Sequence, residues 1–351
     1  MSPISPQDRL ISQWLLLCLS LIFVMVVLGG VTRLTGSGLS MVNWHPVHGV
    51  LPPLTAEHWD EEFGNYKQSP EYQKINRDMG VAGFKSIFWF EYTHRMLGRL
   101  IGLVFLLPFL YFWWRNKIKP GLTPKLMIMF LLGGLQGLLG WYMVKSGLVN
   151  NPHVSQYRLT AHLLSAILIY GFILWTILDL RQNLHYQAMH QSAVATWRKI
   201  SLALISLLLL TIVSGGFVAG LKAGLIFNTF PLMGGKWIPE GLAALSPWYL
   251  NLFENMVTVQ FGHRLLAITT GLLLLGWYIQ GRVRFEDPFI KRSFKLVGMM
   301  VIIQLVLGIS TLLMQVPVWL GAMHQAGALL LFSAMLINVH ALSRLIDNNK
   351  T

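Results

Sequence analysis

Residues 88–114 read FWFEYTHRMLGRLIGLVFLLPFLYFWW, and residues 260–280 read QFGHRLLAITTGLLLLGWYIQ. Each begins with an acid or its amide three residues ahead of a His-Arg pair and continues into an apolar run. The runs near 97–114 and 262–281 have the length of a bilayer-spanning helix, which needs roughly 20 mostly apolar residues. Working outward, six further runs lie near 12–33, 124–145, 159–180, 199–220, 294–315 and 320–343. Composition agrees, since 54% of the 351 residues are hydrophobic and 12% are charged, against roughly 25% charged in a soluble domain. The expected fold class is all-α integral membrane, with eight transmembrane helices and lipid as the main solvent.

The net charge of +13 would point to nucleic acid in a soluble protein, but here the bases sort by side of the membrane. Arg115, Lys117, Lys119 and Lys125, then Arg181, Arg198 and Lys199, then Arg282, Arg284, Lys291, Arg292 and Lys295 follow the even-numbered spans. The positive-inside rule makes those connections and both termini cytoplasmic. Cys18 is the only cysteine, which excludes an intrachain disulfide and a Cys-x-x-Cys-His covalent haem attachment. The first apolar run exceeds a signal-peptide core and is expected to be an uncleaved first helix in a bacterial inner membrane.

The two opening segments belong to an internal repeat. Glu91, His94, Arg95 and Gly102 meet Gln260, His263, Arg264 and Gly271 at an offset of 169, whereas upstream Gly29, Gly30, Gly38, Gly49 and Pro53 meet Gly215, Gly216, Gly224, Gly235 and Pro239 at 186. The change of offset is an external loop about seventeen residues longer in the first half. Gln136 and Gly140 meet Gln304 and Gly308, and His162 and Ala166 meet His324 and Ala328. An even number of spans per copy makes the repeats parallel. The expected organisation is a four-helix bundle over 1–180, a cytoplasmic linker over 181–198 and a second four-helix bundle over 199–351.

Of eleven histidines, His45, His48, His58, His153, His185, His190 and His340 fall in connections or near the C-terminus. His94, His162, His263 and His324 instead open even-numbered spans, which places them in one layer near the external face. A single interfacial histidine equally contacts headgroups. Two pairs in register are better explained by bis-imidazole ligation of haem iron within a bundle. Gly98, Ala166, Ala267 and Ala328, each four residues on, leave room for a flat macrocycle. Arg95, Arg99 and Arg264 are candidate partners of haem propionates, with phosphate headgroups as the competing role. Gly133, Gly134, Gly137 and Gly140 read as close helix packing. Glu91 is the sharpest difference between the halves, because its counterpart Gln260 cannot act as a base; a helix-start carboxylate is the plainer reading.

Over these residues, and through GSGLSMVNWHPVHGVLPP at 36–53, FWFEYTHRMLGR at 88–99, AGLIFNTFPLMGGKWIP at 223–239, FGHRLLA at 261–267 and GAMHQAGALLL at 321–331, the chain resembles the haem A synthases of proteobacterial and mitochondrial type. The resemblance implies oxidation of the C8 methyl group of haem O to a formyl group by successive hydroxylations and loss of water. It implies an essential Glu91, iron-ligating His94, His162, His263 and His324, and a haem b cofactor in the second bundle. Expected partners are the substrate haem O, membrane lipid, haem O synthase and cytochrome oxidase assembly factors, with no nucleic acid. Some bacterial relatives carry cysteine pairs in external loops, and this chain does not. A non-catalytic dihaem b-type electron carrier is the alternative, with a transporter ranked below it.

Overall fold

The computed structural model describes residues 4–42, 51–148, 154–181 and 191–347, with side chains of 191–193 and 346–347 left undescribed. His45, His48, His153, His185 and His190, and half of the expected linker, lie outside those residues. Among the described residues the chain is helical without a named strand. Eight helices are long and apolar enough to cross a membrane: α1 (Pro6–Leu34), α4 (Val81–Trp114), α5 (Thr123–Gly147), α6 (Gln156–Arg181), α7 (Gln191–Leu221), α8 (Met256–Arg284), α9 (Pro288–Leu313) and α10 (Val318–Asp347). The short α2 (Ala56–Lys67) and α3 (Pro70–Lys74) lie between the first two spans.

The spans pack in two quartets. In the first, α1 and α5 each touch both α4 and α6; in the second, α7 and α9 each touch both α8 and α10. The quartets meet where α1 lies on α10 and α6 on α7. Apolar side chains gain little by leaving lipid for protein, so close approach and interhelical hydrogen bonds carry such a seam. A Cβ on Gly30 would stand 2.0 Å from Gln325 Oε1, and one on Gly216 would stand 2.9 Å from Thr160 Oγ1. Gln325 Nε2 donates to the Val26 carbonyl at 2.8 Å, and Arg33 donates to the Gly220 carbonyl at 2.8 Å. At the opposite end of the molecule Asp179 gathers Lys125, His340 and Arg344 at 3.1, 3.0 and 2.6 Å. His340, set aside by position alone, is fully buried in this cluster.

The second span departs from its expected start. Helix α4 begins at Val81, about four turns before residue 97. Phe84, Ile87, Phe88 and Glu91 are its buried face there, at helical spacing. They are covered by Trp59, Phe63 and Tyr66 from the α2–α3 cap. A polar outer face lowered the hydropathy of this stretch while the cap supplied the apolar partner. His94 therefore lies well inside its helix, whereas His162, His263 and His324 lie about two turns from the starts of α6, α8 and α10.

Pro108 interrupts the same helix. Proline has no N–H, so the carbonyl four residues back loses its helical donor; Trp14 Nε1 of α1 donates to that Val104 carbonyl at 2.8 Å. A lone carbonyl in hydrocarbon costs several kcal/mol. Trp14→Phe is expected to lower stability in detergent by about 1–3 kcal/mol, and to cost clearly less in a Pro108→Ala background, where the helix supplies its own donor. Equal losses in both backgrounds would make the indole a packing residue only.

In the cap, Glu71 Oε2 accepts from the Tyr66 hydroxyl at 3.1 Å, and Asn76 Nδ2 donates to that hydroxyl at 2.7 Å. Burial holds the Glu71 carboxyl up at about 7. The folded cap then binds this proton more tightly than the unfolded chain, so its stabilisation is complete at low pH and is lost as pH rises through about 7. Protection against hydrogen exchange in 56–80, corrected for the intrinsic pH dependence of amide exchange, is expected to fall between about pH 5 and about pH 8, and to stay level in Glu71→Gln.

Candidate functional site

The four layer histidines share one local construction. Each imidazole of α4, α6, α8 or α10 rests on a glycine of the helix before it in sequence among the spans. A Cβ on Gly29 would stand 3.2 Å from His94 Nε2, and one on Gly140 would stand 3.0 Å from His162 Cε1. In the second quartet, Gly215 is 3.1 Å from His263 Cε1 and Gly308 is 2.9 Å from His324 Cε1 by the same measure. Any larger residue would drive the ring off its seat. These glycines were visible in the sequence as repeat markers, but their role as supports was not.

His94 and His162 are electrostatic neighbours, as are His263 and His324. Two imidazoles from two helices suit an iron whose equatorial positions a porphyrin fills. Four of the eight buried side-chain atoms without a hydrogen-bond partner among the described residues lie near the pairs: His162 Nδ1, Gln260 Oε1, Arg264 Nε and Gln304 Oε1. Buried polar atoms are rarely left so. Donor set, glycine seats and unmet polar atoms fit a haem in each quartet. Among the described residues no group of three or more His, Cys, Asp or Glu is placed to hold a bare metal ion.

Around the imidazoles the quartets differ. His263 Nδ1 is 2.8 Å from Ser214 Oγ, and His324 Nδ1 is 3.1 Å from Gln304 Nε2. Both amides donate to the carbonyl of their histidine, Gln136 Nε2 to His162 at 2.8 Å and Gln304 Nε2 to His324 at 2.9 Å, and in the first quartet Gln136 Oε1 also accepts from Ser165 Oγ at 2.5 Å. Ser214 and Gln304 were not singled out as site residues from sequence, because a lone hydroxyl or amide in an apolar helix gives no periodic signal.

Glu91 is 3% exposed. Its Oε1 meets Arg95 at 2.5 Å, while Oε2 accepts from Ser40 Oγ at 2.7 Å and from the Met41 N–H at 2.9 Å. Three donors on two oxygens are the surroundings of a carboxylate anion, and they tie the external loop to α4 one turn before His94. The counterpart Gln260 reverses the polarity and donates to the Phe227 carbonyl at 3.0 Å.

The arginines do a related task. Arg95 donates to the Met41 carbonyl at 3.0 Å; Arg264 donates to the Phe227 and Thr229 carbonyls at 2.7 and 2.8 Å. Met41 and Phe227 are themselves related by the offset of 186, so both quartets clamp the same point of their external loops. Arg99 contacts Met96 Sδ at 3.4 Å. Gly98 is not an open wall, since a Cβ there would meet Met25 Cε at 3.1 Å. The packing role read for the α5 glycines fails for Gly133, Gly134 and Gly137, which have nothing within 4 Å of a Cβ.

A family model described as COX15-CtaA, cytochrome oxidase assembly protein, matches residues 12–336. The heme A synthase of Nitrosospira multiformis is 51% identical over 334 residues, 95% of this chain and 94% of that protein. That of Paramagnetospirillum magneticum is 48% identical over 347 residues, covering 96% and 95%. Heme A synthase COX15 of Homo sapiens is 44% identical over 353 residues, covering 97% and 85%. The matched span takes in all four imidazoles, their glycine seats and Glu91, and the chain belongs to the COX15-CtaA family of cytochrome oxidase assembly proteins.

Proposed function

We propose that this chain is a haem A synthase, a multi-pass membrane oxidoreductase that converts haem O to haem A for cytochrome oxidase. The reading rests on two glycine-seated imidazole pairs, only one of which has a buried carboxylate beside it. Its relatives carry the name heme A synthase over nearly their whole length, and nothing there favours the non-catalytic electron carrier. In the reaction the C8 methyl carbon is hydroxylated twice and the resulting gem-diol loses water to give the formyl group, a four-electron oxidation whose oxygen atoms and terminal electron acceptor come from outside the chain.

The first quartet takes haem O and the second holds haem b, ligated by His94 with His162 and by His263 with His324. Three contrasts support this division. Glu91 is matched by an amide in the second quartet. The first external loop is the longer and carries the α2–α3 cap. The seam between α4 and α5 is looser than that between α8 and α9: Gly102 has nothing within 4 Å of a Cβ, whereas its counterpart Gly271 would meet Leu305 at 3.1 Å. An apolar isoprenoid tail can lie along such a seam in contact with lipid. The two quartets are copies of one unit related by an axis along the membrane normal, both termini cytoplasmic and the imidazole layer towards the external face.

A haem in the second quartet supplies one-electron redox capacity near the substrate. The chain's own residues do the rest. His94 and His162 orient the substrate. Glu91, at the loop side of His94, accepts a proton as the methyl carbon is oxidised, and Arg95 holds that carboxylate in place. Arg99 beside it and Arg264 with its unmet Nε offer charge to propionates. The cap over α4 excludes water.

Glu91→Gln is expected to reduce formyl haem production at least roughly a hundredfold, with unconverted haem O in the pigment extract and the second haem still bound. Ser40→Ala, which removes one loop anchor and keeps the carboxylate, should cost far less; equal losses would make Glu91 a latch and not a base. Stable haem is expected to disappear from purified His263→Ala and to persist in His94→Ala, as read by pyridine haemochrome content. The opposite pattern would exchange the roles of the quartets.

A further inference from the structure

We infer that Ser214 is a positioning residue that fixes the tautomer and ligand strength of His263, and that its absence from the first quartet, where Leu28 stands in its place, leaves His94 an exchangeable ligand. The inference rests on the proposed haem sites and goes beyond them, by naming what makes one site permanent and the other releasing.

A serine hydroxyl has one hydrogen to give. That of Ser214 goes to the Thr211 carbonyl, 2.7 Å away. Its 2.8 Å contact with His263 Nδ1 must then run the other way, with Nδ1–H donating to Oγ. A neutral imidazole protonated at Nδ1 has its lone pair on Nε2, the nitrogen left for iron. Donation from Nδ1–H also raises the ligand's basicity and fixes the ring plane. Gly215, the next residue, seats the ring through Cε1, and the Thr211 hydroxyl is itself engaged with Thr270 at 2.8 Å. Every degree of freedom of the His263 ring is thus determined from α7.

The offset of 186 puts Leu28 opposite Ser214 and Met25 opposite Thr211. Neither provides an acceptor at the His94 ring, and among the described residues His94 makes no side-chain hydrogen bond. Its seat also differs. The atom nearest Gly29 is Nε2, with Cδ2 next at 3.7 Å. A half-turn of the ring about χ2 exchanges Nε2 with Cε1 and Cδ2 with Nδ1, which reproduces the His263 seat. With no partner on either nitrogen, neither orientation is selected.

The second ligands differ as well, though not by this rule. Ser165 occupies the amide oxygen of Gln136, and His162 Nδ1 has no partner. The counterpart of Ser165 is Gly327, and Gln304 Nε2 lies 3.1 Å from His324 Nδ1; an amide nitrogen only donates, so this contact makes Nδ1 the acceptor. Among the described residues, His263 is the one imidazole of the four with an acceptor at Nδ1.

The test uses full-length protein purified with its haem. Transfer of haem to excess apomyoglobin gives the release rate, and a spectroelectrochemical titration gives the midpoint potential. Ser214→Ala is expected to release the stable haem roughly ten- to a hundredfold faster and to raise its midpoint potential, because a weaker donor stabilises ferric iron less. Ser214→Thr, which keeps the hydroxyl, should restore both. Leu28→Ser is expected to slow release of haem O loaded into the first quartet. Unchanged release and potential in Ser214→Ala would overturn the inference. Faster release with an unmoved potential, or without rescue by threonine, would also overturn it, as loosened packing alone. Failure of the underlying site assignment reads differently, as stable haem retained in His263→Ala.

Discussion

Hydrocarbon offers a polar group no partner, and this one constraint explains most of what the chain does with its polar residues. A carbonyl released by Pro108 is met by an indole from the neighbouring helix. Gln325 reaches across the quartets to a main-chain carbonyl, and Asp179 is met by Lys125, His340 and Arg344. The four imidazoles are the hard case, because a ring nitrogen needs a partner that apolar helices do not offer. The chain packs each ring against a glycine of the preceding span.

From that device follows the arrangement of the whole molecule. A seat on one helix and a histidine on the next need two helices at close approach, so a pair of ligands needs four. The doubled glycines at 29–30 and 215–216 then serve two directions at once. Gly29 and Gly215 receive the imidazole of their own quartet, while Gly30 and Gly216 receive Gln325 and Thr160 from the other. Ligand placement and association of the quartets are therefore set by adjacent residues on one helix, and α1 and α7 have little freedom to move independently of either.

The spans were legible because a bilayer imposes length and hydropathy together, which few other settings do. The exception was α4, whose first turns are half polar and find their apolar partner only in the cap, through Trp59, Phe63 and Tyr66. The four histidines stood out because duplication sets two copies side by side in the sequence. The polar neighbours of the rings were not: Ser214 differs from Leu28 by one residue in a run of apolar ones, and hydropathy gives no reason to notice it. Nor did spacing foretell that Glu91, Arg95 and Arg264 hold down the external loops, since main-chain carbonyls leave no mark in a sequence. The assignment of residues to iron and propionates goes beyond both and stands as proposed above.

Each pair draws one imidazole from an inner helix, α6 or α10, and one from an outer helix, α4 or α8. The inner helices are stapled to each other, with Phe332 of α10 lying 3.0 Å from where a Cβ of Gly171 would stand and Ser333 bonded to the Tyr170 hydroxyl at 3.0 Å. That contact ties the two inner helices together, whereas His94 belongs to an outer helix, on the same rod that carries the cap. On the assignment proposed above, a chamber built so can open at its outer wall while its inner wall stays fastened to the neighbouring bundle.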